Sequence, residues 1–185
     1  HVVTIAPADA AELRLAMAAM MEDDRPTYLR LTRDPSPVIF GEDLEFNIGK
    51  GYLLRDGADV GIIGTGVQTT RALEAAEILA VQGVQASVLH LPTLKPLDTE
   101  AIIAIAERTG AIVTAEDHTI LGGLGGAVAE VLGENLPTRM TRVGIRDTYG
   151  ESGANDALLE KYGLTPRHVA DAALSLLSLT PVVHT

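Results

Sequence analysis

Between Gly51 and Ile145, short runs rich in Val, Ile and Leu alternate with longer Ala-rich segments, and nothing else in the chain constrains the fold as tightly. "GYLLR" and "DVGIIGTG" read as strands on either side of Asp56-Gly57, a dipeptide suited to a hairpin turn. "QTTRALEAAEILAVQG" reads as a helix closed by Gly83, and "VQASVLHL" as a strand. "DTEAIIAIAERTG" is a helix with Asp98 as N-cap, "AIVTAE" a strand, "GGAVAEVL" the opening of another helix and "TRMTRVGI" a last strand. "NDALLEKYG" and "TPRHVADAALSLLS" close the chain as helices, the second with Thr165 as N-cap and Pro166 at the first helical position. Such alternation demands a sheet covered by helices on both faces. The expectation is an α/β fold, a three-layer α/β/α sandwich with a mostly parallel five-stranded sheet. One strand should run antiparallel, because the Asp56-Gly57 connection is too short for a crossover.

The first third is built differently. "VVTI" (Val2 to Ile5) reads as a buried strand and "PADAAELRLAMAAMME" as a helix, with Asp9 and Glu12 at capping-box spacing. "TYLRLT" (Thr27 to Thr32) reads as a second strand. "RDPSPVIFGEDLEFNIGKG", from Arg33 to Gly51, lacks periodicity and is rich in Pro and Gly, the marks of a linker. One β-α-β unit cannot bury both faces of its sheet. Residues 1–33 are therefore expected to be the remnant tail of another α/β domain, 34–48 a linker, and 49–185 a C-terminal domain.

Composition narrows the function classes. Of 185 residues 46% are hydrophobic but only 3% aromatic, so the core is one of Ala, Val, Ile and Leu. A net charge of −11 disfavours nucleic acid as the main partner. There is no cysteine, which excludes disulfides, thiol catalysis and thiolate metal sites. No apolar run has the length of a membrane span and no signal peptide is evident, so a cytoplasmic protein is expected.

Four stretches could carry chemistry. "GTGVQT" (Gly64 to Thr69) joins a strand to a helix, where amides can hold a phosphate. It departs from the dinucleotide fingerprint at Thr69 and again at His90, which stands where an acid should end the next strand. "AEDHTILGGLGG" offers Glu116, Asp117 and His118 as an acid–base group or metal ligands. A consecutive run points its side chains in different directions, however, and Gly122, Gly123, Gly125 and Gly126 suit close packing of a helix start. "HLPTLKPLD" (His90 to Asp98) is a stiff connection. Arg33 falls at a strand's end, where open α/β sheets place ligands, and a guanidinium there could grip a phosphate bidentately. An ordinary surface arginine is equally consistent with the residues alone. Arg30 begins on the opposite side of the same segment. His1, His168 and His184 suggest no role.

Taken in order, "DGADVGIIGTGVQTTRALEAAEILAVQGVQASVLHLPTLKPLDTEAIIAIAERTGAIVTAEDHTILGGLGGAVAEVL" and "DTYGESG" (Asp147 to Gly153) closely resemble the C-terminal domain of the transketolase family. "APADAAELRLAM" and "PTYLRLTR" resemble the end of that family's pyrimidine-binding domain. The resemblance covers nearly the whole chain and is nearest to the transketolase and deoxyxylulose-phosphate synthase branch. It implies an enzyme in which thiamine diphosphate and Mg lie between domains of different protomers and a two-carbon ketol unit passes between sugar phosphates, as in the pentose phosphate interconversions. The "GDG" motif for the diphosphate and metal is not in this sequence, nor is the stretch that would carry the cofactor-activating glutamate. The resemblance thus implies a C-terminal part that binds no cofactor itself and is inactive alone. Its partners would be a second copy in a homodimer or an N-terminal transketolase subunit, with no nucleic acid and no membrane. Arg33 matches the family arginine for the substrate phosphate, and Arg30 is the second choice.

Two other functions fit the same residues. In 2-oxo acid dehydrogenases the β subunit's matching domain docks onto an acyltransferase core, so this chain could be a docking or dimerisation module. An independent nucleotide-binding domain is the third reading.

Overall fold

The computed structural model describes residues 1–41 and 43–178. Its elements run β1 (Val3–Ile5), α1 (Ala10–Glu22), β2 (Thr27–Leu29), β3 (Tyr52–Arg55), β4 (Val60–Gly64), α2 (Gln68–Val81), β5 (Ala86–His90), β6 (Thr93–Lys95), α3 (Thr99–Thr109), β7 (Ala111–Thr119), α4 (Leu124–Asn135), β8 (Arg139–Ile145), α5 (Asn155–Lys161) and α6 (Pro166–Ser178). No helix among them is long and apolar enough to cross a membrane. His184 lies outside the described residues.

The large sheet has five strands in the order β3-β5-β4-β7-β8. β4, β5, β7 and β8 are parallel, and β3 runs antiparallel to β5. The mostly parallel sheet with one reversed strand is therefore as expected, but the expected hairpin is not there. β3 does not pair with β4. β5 lies between them, with Tyr52 opposite His90 and Leu53 opposite Leu89. Burial explains this. Every residue of β4 is buried, which requires a central strand with helices on both faces, whereas β3 is partly exposed along its length and suits an edge. Gly57 serves the crossing: a Cβ there would lie 2.6 Å from the carbonyl oxygen of Ala86, so only glycine lets the connection pass over the start of β5.

Helices cover both faces. α2 and α6 share one core with β4, where Val60, Ile62, Ala72, Ala76, Ala170 and Ala173 are fully buried. The alanines let the two helices approach closely. α3 and α4 cover the other face through Ile63, Ile102, Ile112, Leu124 and Val128. The start signal at Asp98 behaves as read, whereas the Thr165 hydroxyl meets the His168 ring at 2.8 Å instead of an amide of α6. Asp98 accepts from the Ala101 amide at 3.2 Å, and Gly110 closes α3 with a φ of 64°.

A second, three-stranded sheet has the order β2-β1-β6. β1 and β2 are parallel, as a β-α-β unit requires. β6 comes from the "HLPTLKPLD" connection and pairs antiparallel with β1, a strand that local pattern did not mark. Asp9 caps α1 through the Glu12 amide at 2.8 Å, while the Glu12 carboxylate reaches the Ala8 amide at 2.6 Å, one residue before the cap. α1 covers one face of this sheet over Val3, Ile5 and Leu29. Tyr28, on the opposite face, is 58% exposed, and β2 is a free edge.

Candidate functional site at the junction of the two sheets

β1 and β2 point their carboxyl ends at the carboxyl ends of β4, β5 and β7, the place where open α/β sheets bind ligands. In this chain the crevice is filled by the N-terminal segment. The Ala6 amide donates to the Pro92 carbonyl at 2.8 Å, and the Gly66 amide donates to the Ala6 carbonyl at 3.0 Å. The amides of Thr65, Gln68 and Thr69 are likewise donated within the chain. "GTGVQT" thus spends its donors on folding, and Gly64 lets the first turn of α2 approach, since a Cβ there would lie 3.0 Å from the Thr69 Cα.

The densest polar group at the junction is one that sequence reasoning missed. Glu12 from α1 and His90 from β5 are both fully buried. His90 Nε2 lies 3.0 and 2.9 Å from the two Glu12 carboxylate oxygens, and Nδ1 lies 2.6 Å from the Thr69 hydroxyl. A carboxylate can only accept, so Nε2 carries the proton that it donates to Glu12. Phe40 and Tyr52 pack against the ring, with centroids 5.4 and 6.3 Å away. Burial, with a smaller push from the Glu12 charge, raises the Tyr52 hydroxyl above its ordinary pKa. The segment that carries Phe40 is fastened by Asp9, whose second oxygen accepts from the Ile39 and Phe40 amides. Shielded on every side, this Glu–His–Thr chain holds α1 to β5 and has no open face for a substrate. The available signal was faint: a capping-box glutamate and a histidine ending a buried strand.

"AEDH" does not form one centre. It lies within β7, whose pairing with β8 shifts register between Ala115 and Thr119, and there Glu116 is buried while His118 is exposed. Glu116 accepts from the amides of Leu124 and Gly125, both at 2.8 Å, and so caps α4. Its glycines answer to this chain. A Cβ on Gly123 would lie 2.8 Å from the Glu116 Cδ, and one on Gly125 would lie 2.8 Å from the Thr114 hydroxyl. At Gly123 and Gly125 the helix start packs on β7 and β8 of the same chain.

Burial holds the Glu116 carboxyl above its ordinary pKa, against the pull of the two amides. A raised pKa in the folded state makes the folded chain the tighter proton binder. Stability is then greatest below the unfolded glutamate value and falls as pH rises through the folded one. Urea unfolding of wild type between about pH 4 and 8 should show that decline. Glu116→Gln should be less stable throughout, because one oxygen becomes a donor facing an amide, and should lose this part of the slope.

The two arginines separate. β2 ends at Leu29, earlier than the expected Thr32, so Arg33 stands beyond the strand, exposed and with no hydrogen bond or ion pair among the described residues. Arg30 is engaged: Nη1 donates to Asp117 Oδ1 at 2.7 Å and Nη2 to the Asp117 carbonyl at 2.8 Å. The nearby cleft of about 450 Å³ is lined by Thr32 and Asp34 but not by Arg33, and Asp34, Glu74, Asp156 and Glu160 outnumber Arg71 there. It is an unfavourable place for an anion. Among the described residues no three His, Asp or Glu side chains form a group that could hold a metal ion.

Residues 49–169 match the family model described as transketolase, C-terminal domain. The chain belongs to the transketolase family. It is 50% identical over 167 residues to the 6-deoxy-6-sulfo-D-fructose transketolase subunit of Clostridium sp. (strain MSTE9), a match covering 90% of this chain and 52% of that protein. It is 39% identical over 179 residues to the 1-deoxy-D-xylulose-5-phosphate synthase of Heliobacterium modesticaldum, covering 95% of this chain and 28% of that protein. Among solved structures it resembles a split-gene transketolase, described as an inactive β4 tetramer, with a TM-score of 0.93 and 45% identity over 96% of this chain and 58% of that one. The chain thus spans about half the length of the curated transketolase subunit it matches. Both the fold class and the family read from the sequence hold.

Proposed function

We propose that this chain is the C-terminal part of a thiamine-diphosphate-dependent transketolase-type enzyme that moves a two-carbon ketol unit between sugars ending in an anionic group. In this reading 1–33 belongs with the pyrimidine-binding domain, 34–48 links, and 49–185 is the assembly domain. The partner is a second copy or an N-terminal transketolase subunit. The observation that carries the reading is the 50% identity to a transketolase subunit, together with Arg33, an exposed guanidinium beyond the end of β2 that has no carboxylate partner among the described residues. Arg30, held by Asp117, is the second choice.

The chain's own residues do not fit the diphosphate and its metal. The glycine-loop amide of Gly66 is already bonded to Ala6, and no metal-holding group forms among the described residues. In this reading both are held by other parts of the enzyme, and these residues by themselves turn over no ketose.

The test is reconstitution with a thiamine-diphosphate-binding transketolase subunit. In the assembled enzyme Arg33→Ala should lower kcat/KM for anionic sugars about 10- to 100-fold, the worth of one charge-assisted contact. Uncharged acceptors should lose much less. An equal loss for both would make Arg33 structural, and turnover by the isolated chain would overturn the assignment.

A further inference from the structure

β8 ends the large sheet, and no strand among the described residues pairs with its outer edge. At seven residues it is longer than the other outer strands, β3 with four and β2 and β6 with three each. An edge of that length is a template for a further strand unless something covers or blunts it. A groove of about 220 Å³ lies against it, lined by the four consecutive residues Thr141 to Gly144 and by Arg146, Tyr162 and His168. Successive side chains of a strand point to opposite faces. A groove that touches four residues in a row therefore follows the edge itself, where the unpaired backbone groups are. Its charge is the reverse of the chain's. The whole carries −11, yet between Glu134 and Asp147 there are three arginines and no acid. Arg142, Arg146 and His168 line the groove, and none of its described lining residues is acidic. Arg146 is exposed and makes no ion pair among the described residues. Arg142 donates to the Ile120 carbonyl at 3.0 Å, a neutral acceptor. With His168 Nδ1 facing the Thr165 hydroxyl at 2.8 Å, Nε2 is the ring nitrogen left to donate to a ligand.

We propose that the outer edge of β8 docks an extended acidic segment of another protein, which adds to the large sheet as a further strand and sets carboxylates against Arg146 and His168. Main-chain pairing along Thr141 to Gly144 supplies affinity, and the cations select the sign of the partner's charge. A second copy of this chain is the disfavoured occupant, because pairing two β8 edges brings Arg139, Arg142 and Arg146 of one against the same three of the other. Arginines on an edge can also serve only to repel other strands. Repulsion alone would leave an acidic peptide indifferent to whether it can form a strand, and that difference is measurable. The proposal does not depend on the role given to Arg33.

The probe is an acetylated and amidated heptapeptide alternating Val and Glu, titrated into the 185-residue chain. NMR should show the amides of Thr141 to Gly144 shifting on binding, with those of β3 unmoved. Two control peptides should bind at least about tenfold more weakly: one with Lys in place of Glu, and one with the same glutamates but proline at two of the valines, which cannot donate to a ladder. Arg146 is exposed, so Arg146→Glu leaves the fold intact and reverses one charge. At a separation of about 6 Å one unit of charge is worth roughly threefold in a water-like medium, so the reversal should weaken the Val-Glu peptide about tenfold and strengthen the Val-Lys one. Absence of saturable binding overturns the proposal. So do equal binding of the proline peptide, amide shifts confined to other strands, or an Arg146→Glu chain that binds the Val-Glu peptide as wild type does. Concentration-dependent dimerisation that shifts the same four amides without peptide would make a second copy the occupant and overturn it as well.

Discussion

Glu12→Ala is expected to unfold with about 3–5 kcal/mol less stability than the wild-type chain, the cost of leaving two buried donors without an acceptor together with the lost side-chain volume. The His90 ring would keep its place with a donor facing a void, and the Ala8 amide would lose its acceptor. His90→Ala should cost at least as much, since it leaves the Glu12 carboxylate in the core with little besides the Ala8 amide and also opens a cavity under Phe40 and Tyr52. Removing both polar groups together distinguishes the orphaned partner from lost volume. Glu12→Met with His90→Phe should recover much of the loss, because a well-packed apolar pair leaves no buried polar group without a partner. Chemical denaturation of the three variants checks this. If the single substitutions each cost under about 1 kcal/mol, the pair does not hold α1 to β5.

Gly123→Leu is the second large effect. Its Cβ alone would lie 2.8 Å from the Glu116 Cδ and 2.8 Å from the Thr119 carbonyl oxygen, so the helix start must move away from β7. That displaces the carboxylate which caps Leu124 and Gly125. Overpacking and lost buried hydrogen bonds together should cost about 3–5 kcal/mol. Gly126→Ala is the matched control. Nothing lies within 4 Å of a Cβ at that position, and it is inside α4, so the change should stabilise by about 0.5–1 kcal/mol. A small effect at Gly123 in the unfolding of the isolated chain, with a large effect on association, would instead restore a contact between chains as the reason for this glycine.

Much of the fold was legible because its signals are local. The period of Val60 to Gly64 against that of Gln68 to Val81, the cap at Asp98 and the left-handed glycine at Gly110 each depend on residues within one turn or one strand. They yield the layers and the five strands of the large sheet, while the family follows from the resemblance of whole motifs in order. What the sequence alone determined stops where pairing becomes a competition between distant segments. Asp56-Gly57 is a sound hairpin dipeptide, yet β5 takes the place beside β4, because β4 is buried on every residue and cannot stand next to an edge strand while one of its own sides stays open. β6 is a strand only because β1 offers it an edge. Glu12 and His90 are 78 positions apart, and Arg30 and Asp117 are 87 apart. No spacing rule joins residues so distant. Only the packing of one sheet's carboxyl ends against the other's decided that Glu12 would be a buried partner rather than a helix cap. The same packing joined Arg30 to Asp117, while Arg33, beyond the end of β2, makes no ion pair among the described residues.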